Sequence, residues 1–545
     1  MTSANIASHV PAMAKLDPAR KAIVAADGSG GWRSMTFGEL DSRSDAFARG
    51  LESIGITSGT RTVLMVPPSL DFFPLVCGLF KAGAVIVMID PGIGRRALLS
   101  CLDEVEPEAF IGIPAAHVAR VLFPKPFRKV KALVTVGTRW FWGGYTASQV
   151  IERGGKEPYA MTEPTPGQTA AILFTSGSTG IPKGVVYTHE IFDAQVRMIR
   201  ATYDIKPGEV DLATFPLFAL FDPALGMTAV LPEMDARFPA KAEPKKLIDA
   251  LTANACTSMF GSPALLDNLS RYGVENKITL PSLKRVLSAG APVRNDVLQR
   301  MSSLLAGDAQ IFTPFGATEA LPVASIGSKE VLDETAVGAA SGRGVCVGKP
   351  VEGTTVRIIR ISDEPIEQWS DDLLVPEGQI GEIAVSGAVV TREYYARPVQ
   401  TKLAKIHEAG TGIVHRMGDV GYLDEAGRVW MCGRKSHRIE TRQGTLFTVP
   451  IEEIFNQHPA VRRTALVGPG ERGRQHPYVL IEREPNATLS DAQVVEELKK
   501  VGSQHLDTAT LHSFHVYPGT FPVDARHNAK IEREKLAVWA KENLS

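Results

Sequence analysis

The residues best suited to chemistry in this 545-residue chain gather in a few polar stretches. The densest is residues 175–184, Thr-Ser-Gly-Ser-Thr-Gly-Ile-Pro-Lys-Gly, which follows the apolar run Ala170-Ala-Ile-Leu-Phe174. The run reads as a buried strand. Gly177, Gly180 and Gly184 let the backbone approach a ligand and turn its N–H groups inward. Thr175, Ser176, Ser178 and Thr179 add hydroxyl donors, and Lys183 adds a positive charge on a flexible stem. A triphosphate suits this set. The Walker pattern is absent, since Gly180-Ile-Pro-Lys183 stands where it would need G-K-[ST]. Surface loops share the composition, but the strand feeding this one and the lysine behind it favour a phosphate cradle.

Two more stretches could complete a nucleotide site. In Gln310-Ile-Phe-Thr-Pro-Phe-Gly-Ala-Thr-Glu319 a strand runs into a turn carrying Thr318 and Glu319. A carboxylate there could hold Mg²⁺ against a triphosphate, because Mg²⁺ takes one or two protein oxygens plus substrate phosphate. Taken alone, a turn glutamate is usually just solvated. In the segment from Val414-His-Arg-Met-Gly-Asp419 to Cys432-Gly-Arg434, two strands flank the turn Asp424-Glu-Ala-Gly427. Asp419 suits the ribose hydroxyls, and Arg434 could reach ribose or phosphate.

These side chains need strands to place them. Residues 35–55 have helical spacing, with Thr36 as cap and Leu40, Ala46, Phe47 and Leu51 inward. Strands at 61–66, 84–89, 109–113 and 132–136 alternate with helices such as 72–82, which implies a parallel sheet with covered faces. Met259-Phe-Gly-Ser-Pro263 and Val286-Leu-Ser-Ala-Gly-Ala-Pro292 read as strands ending in tight turns, where ligands of open α/β sheets bind. Gly290, Ala291 and Pro292 therefore join the candidate nucleotide site. Asp211 to Phe221, then Asp222-Pro-Ala-Leu-Gly, is dense in aromatic and aliphatic residues. With Phe260 and Gly261, its Phe215, Phe218, Phe221 and Asp222 suit the wall of an apolar pocket; plain core packing is the other reading.

Bulk properties limit the alternatives. The length implies two or more domains. A net charge of −1 leaves no basic excess for nucleic acid. The five cysteines are scattered, without C-x-x-C, and read as reduced thiols of a cytoplasmic protein. The N-terminus is not a signal peptide, and the most apolar stretch, 72–89, is too broken to span a bilayer.

The string from Ala170 to His189 closely resembles the phosphate-loop motif of the adenylate-forming superfamily: acyl-CoA synthetases, luciferases and peptide-synthetase adenylation domains. Thr313-Pro-Phe-Gly-Ala-Thr-Glu319 resembles its Y/F-G-x-T-E motif, with Phe315 for the usual tyrosine, so Thr313, Pro314, Phe315 and Gly316 are carried over as ATP-site residues. Met417 to Arg434 resembles the T-G-D … G-R segment. The resemblance covers nearly the whole chain. It implies an α/β fold with mixed and parallel sheets, covering helices and a β-barrel-like subdomain over residues 1–435. It also implies a hinge at Ser436 and a small mobile α+β domain over 436–545. It implies ATP and Mg²⁺, with Glu319 and Thr318 catalytic, and a lysine, Lys530, that swings in to contact the acyl carboxylate and α-phosphate. The first half-reaction would join a carboxylate to AMP and release pyrophosphate.

Beyond the hinge the pattern departs from acyl-CoA synthetases. Their thiol-tunnel loop, I-K-x-x-G, is Ile439-Glu-Thr-Arg-Gln-Gly444 here, and Asn528-Ala-Lys530 replaces S-G-K. Neutral drift would give such changes; so would a different acceptor. Phe218-Ala-Leu-Phe-Asp-Pro-Ala-Leu-Gly226, Gly412 to Tyr422, Gly433 to Thr441 and Gly519 to Ile531 together resemble the olefin β-lactone synthetases of bacterial long-chain olefin biosynthesis. That resemblance implies a 2-alkyl-3-hydroxy fatty acid whose hydroxyl displaces AMP, with other olefin-pathway enzymes as partners. His189, Asp222, His437 and His527 are the candidate bases for that step. A fatty acyl-CoA synthetase or fatty acyl-AMP ligase, and a non-catalytic nucleotide-binding module, are the alternatives.

Overall fold

The computed structural model describes residues 5–174, 182–235, 238–410, 412–523 and 530–544. Two large sheets supply the site. The first runs Tyr145–Thr146, Ala132–Thr135, Ala109–Gly112, Arg61–Met65, Val85–Met88, Thr169–Phe174, Gly184–Thr188. All neighbours are parallel except the last pair. That exception has a simple cause. Helices connect most of the parallel strands, whereas Gly184–Thr188 follows Thr169–Phe174 after only nine residues of sequence, too few for a helical crossover.

Helix Phe37–Ser53 covers one face. Thr36 and Glu39 close its first turn as a capping box, with the Thr36 N–H donating to Glu39 Oε2 at 2.7 Å. Leu40, Phe47 and Leu51 are fully buried along its inner side. It packs on helix Phe72–Lys81 at Gly78, where an added Cβ would lie 2.7 Å from Phe47 Cβ.

The second sheet starts as a parallel array: Lys21–Ala26, Thr228–Leu231, Val210–Ala213, Ser258–Phe260, Arg285–Leu287 and Gln310–Ala317. Gln310–Ala317 then folds back on Ala320–Gly327 as a tight hairpin, with Ala317 opposite Ala320. Thr318 and Glu319 are its two turn residues. The sheet continues without a break into antiparallel strands Val345–Pro350, Val429–Arg434, Gly412–Leu423, Gly381–Gly387 and Thr354–Ile359, the region expected to be barrel-like.

Beyond residue 436 the chain forms a smaller sheet of Val461–Val467, Tyr478–Arg483 and Phe514–Val516, with helices Thr448–Phe455, Asp491–Ser503 and Arg533–Leu544. Ile451, Phe455, Leu498 and Phe514 pack on one face, and Ala465, Leu480, Phe521 and Leu536 on the other. Both clusters draw only on residues after 436.

The five cysteines are buried or half-buried and unbridged. Burial pushes their thiols up, to about 11 for Cys101 and Cys346 and about 12 for Cys77, Cys256 and Cys432.

Candidate active site

A cavity of about 580 Å³ opens where the two sheets' strand ends meet. One end is polar, with Lys183, Thr318, Glu319, Arg434 and Lys530 on its wall. The other is aromatic, with Phe215, Phe218, Phe221 and Phe260. Phe218 stacks on Phe260 at 4.3 Å between centroids, and Phe215 lies 5.5 Å from Phe218. Pro216 opens helix Pro216–Ala219 and a second turn, Phe221–Leu225, follows at once, so the segment presents its rings sideways. Gly290, Gly316 and Ser436 also line the cavity.

Several expected residues lie behind the wall. Asp419 is buried opposite Arg434 on paired strands, its Oδ1 3.2 Å from Arg434 Nε. Burial raises its carboxyl, while Arg434 and then Lys530 oppose that rise. Phe315 packs in the core between the hairpin and the antiparallel strands. Gly261, Ala291, Pro292 and Thr313 do not line the main cavity either. Thr175, Ser176, Gly177, Ser178, Thr179 and Gly180 lie outside the described residues, as does His527.

Asp222 and Pro314 line a smaller cavity of about 50 Å³, which shares Phe218, Phe221 and Phe260 with the main one. Asp222 is buried, and its Oδ2 has no hydrogen-bond partner. Burial, reinforced by nearby Asp211, holds its carboxyl well above the usual range. His189 is also buried, which pushes its imidazole down to about 4, and its Nδ1 accepts from the Ile6 N–H at 3.2 Å. His437 Nε2 lies 3.0 Å from Glu534 Oε1. None of these three candidate bases lines the main cavity.

The polar end contains a network that the sequence did not reveal. Tyr394 OH donates to Glu319 Oε1 at 2.6 Å. Lys183 Nζ sits over the Tyr394 ring, 4.3 Å from its centroid. Behind them Lys405 is buried and donates to the Thr391 carbonyl at 2.5 Å and to Thr391 Oγ1 at 3.1 Å. Thr391 in turn anchors the turn, its N–H donating to the Glu319 carbonyl at 2.9 Å. Tyr187 OH donates to the Thr318 carbonyl. Burial lowers both lysines, Lys405 to about 7, and Glu319 opposes the fall in each. His415 lines the cavity beside them, its Nδ1 3.1 Å from the Ala404 carbonyl, and burial holds it neutral.

These distances describe a site for a polyanion. Lys183, Arg434 and Lys530 line the same end of the cavity as the buried Glu319 carboxylate, and an apolar chamber continues from them. Among the described residues no group of three or more His, Cys, Asp or Glu could hold a metal ion. That suits Mg²⁺, which needs only a carboxylate when phosphate oxygens supply other ligands.

Known proteins place the chain. An olefin β-lactone synthetase of Xanthomonas campestris pv. campestris is 48% identical over 99% of this chain and 98% of its own. One of Stenotrophomonas maltophilia is also 48% identical, over 99% of this chain and 98% of its own. In fold, the amide bond synthetase McbA from Marinactinospora thermotolerans superposes at a TM-score of 0.79, with 21% identity, over 98% of this chain and 99% of that one. The family model described as AMP-binding enzyme matches residues 11–395, which hold the phosphate-loop segment, the Thr318–Glu319 hairpin and Tyr394, and the chain therefore belongs to that adenylate-forming family.

Proposed function

We propose that this enzyme activates a 2-alkyl-3-hydroxy fatty acid with ATP and closes it to a β-lactone, releasing AMP and pyrophosphate, within long-chain olefin biosynthesis in the cytoplasm. The observation that carries the lactone over a thioester is the 48% identity to two olefin β-lactone synthetases along 99% of the chain. The cavity agrees with the substrate. Its cationic end suits carboxylate and phosphates, and its aromatic end suits alkyl chains.

In the first step a carboxylate oxygen attacks the α-phosphorus and the bond to the bridging oxygen breaks, so pyrophosphate leaves. Lys183 and the loop at residues 175–181 hold phosphate oxygens, Arg434 and Asp419 hold the ribose side, and Lys530 brings the two anions together. Positioning and charge stabilisation supply most of the rate. Glu319 would hold Mg²⁺, which would supply charge neutralisation for the departing pyrophosphate. Tyr394 fixes the Glu319 carboxylate, and Thr391 fixes the turn that carries it. We assign residues 1–435 to this chemistry and 436–545 to the unit that presents Lys530, with Ser436 between them.

In the second step the 3-hydroxyl oxygen attacks the acyl carbon and the bond to AMP breaks. Since none of the three described candidate bases lines the cavity, we assign the hydroxyl proton to the departing AMP phosphate, which gains charge as that bond breaks. No thiol enters. Glu440, where acyl-CoA synthetases carry lysine, accepts from Arg438 Nε at 2.8 Å and offers a coenzyme A phosphate no cation of its own. The reading is tested with a 2-alkyl-3-hydroxy acid, ATP and Mg²⁺, with and without coenzyme A. Mass spectrometry should find the acid less one water, with AMP and pyrophosphate, in both mixtures. Product that forms only with coenzyme A, and carries it, would make the enzyme an acyl-CoA synthetase instead.

Tyr394 gives a finer prediction. A hydrogen bond to a charged group contributes roughly 1.5–3 kcal/mol. Tyr394→Phe should therefore raise the Mg²⁺ concentration for half-maximal pyrophosphate release about tenfold or more, with little change in saturating rate. An unaltered Mg²⁺ titration would mean that Glu319 is held without Tyr394.

A further inference from the structure

Far along the first sheet from the cavity, the surface has a composition that adenylation does not require. Between Glu108 and Glu152 the chain contains no Asp or Glu, yet carries six basic side chains, Arg120, Lys125, Arg128, Lys129, Lys131 and Arg139. The same segment exposes large apolar side chains: Val121 at 41%, Leu122 at 67%, Trp140 at 55% and Phe141 at 77%.

The exposure is built in. Trp142 is buried, donates from Nε1 to Thr135 Oγ1 at 3.0 Å and stacks on His117 with the rings 2° from parallel. That anchor fixes the loop and leaves its neighbours Trp140 and Phe141 outside. His117 belongs to helix Pro114–Leu122 and is turned inward against Phe110. The helix's outward positions, Ala115, Ala119 and Leu122, are exposed and carry no polar group. The helix thus joins the aromatic loop at one end to a basic rim at the other.

Two acids face that rim. Asp103 lies 3.2 Å from Lys125 and 2.9 Å from Arg128, and Glu106 lies 2.6 Å from Arg128 and from Lys129. Exposed pairs of this kind are weak and exchange readily with other anions. These two acids pair with Lys125, Arg128 and Lys129, and the segment from 109 to 151 supplies no acid of its own.

We propose that this face docks the protein on an anionic lipid surface, with Trp140, Phe141 and Leu122 entering the headgroup layer and the basic rim meeting lipid phosphates. Peripheral binding of this type scales with buried apolar area plus attraction to anionic lipid. Aromatic side chains with lysine and arginine around them are what an interface selects. No described helix is long and apolar enough to cross a membrane, so the contact is peripheral. The inference stands on surface composition alone and survives any outcome of the product analysis.

The test is sedimentation of the purified enzyme with vesicles of phosphatidylcholine, alone or mixed with phosphatidylglycerol. The wild type should sediment with the mixed vesicles and much less with the neutral ones, and salt should reverse it. W140S combined with F141S should weaken binding more than about tenfold, from lost apolar burial. K131E combined with R139E should weaken it by about fivefold or more per residue. Melting temperature and pyrophosphate release should match the wild type in both variants. Failure to bind anionic vesicles, or equal binding by all three proteins, would overturn the proposal. So would concentration-dependent self-association that the same variants abolish without any vesicle binding, since the face would then be an interface between copies.

Discussion

Lys530→Ala should slow adenylation by about a hundredfold to a thousandfold, the range seen when a preorganised group aimed at developing charge is removed. Its target is the joining of two anions, carboxylate and α-phosphate, which repel until a cation sits between them. Lys530 lies on the cavity wall at its polar end, and its charge opposes the burial that raises the Asp419 carboxyl. Its neighbours Ile531 and Arg533 do the structural work in this region. Ile531 packs on the core beneath Phe521, and Arg533 pairs with the buried carboxylate of Glu452. The melting temperature should therefore fall by only a few degrees, since both of these anchors are untouched by the substitution. Acid-dependent pyrophosphate release measures the loss, and a rate equal to the wild type would remove Lys530 from the mechanism.

Glu319→Gln should have an effect of similar size, with a different signature. An amide is a poorer Mg²⁺ ligand than a carboxylate, so the Mg²⁺ requirement should rise sharply. The second consequence is on pH. Burial already lowers Lys183 and Lys405, and the Glu319 charge partly restores both. Without that charge each lysine loses its proton at a lower pH. Phosphate binding needs Lys183 protonated, so the alkaline limb of the pH–rate profile should move to lower pH. A profile that keeps its alkaline limb would show that Glu319 acts on the metal alone, and an unchanged Mg²⁺ titration would place the metal elsewhere.

Much of this site was legible because its parts are local. A strand stopping at a glycine-rich loop, a strand running into Thr318–Glu319, and an aspartate before a hairpin each announce themselves within about ten residues. Their order along the chain carried the resemblance, and the strands appeared where alternation put them. Tyr394 was not legible for the opposite reason. It meets Glu319 only because residues 75 positions apart come together at the hairpin. No local pattern marks it, and Lys405 and Thr391 are hidden in the same way. The candidate bases show a further limit. His189 and Asp222 have suitable side chains, but burial shifts their titration, pushing the imidazole down to about 4 and the carboxyl well above its usual range. Burial is a property of the whole fold, so a residue's type does not disclose it.

The cysteines take on a meaning of their own beside the proposed product. A β-lactone is a strained acyl donor, and protein thiolates open such rings. An enzyme that makes one meets every product molecule before release. Thiolate, not thiol, is the attacking form. Four of the five thiols here are buried, Cys77 is half-buried, and burial shifts all five above their ordinary range. The chain thus offers its electrophile no ready nucleophilic sulfur, and each turnover can end in release rather than in self-acylation.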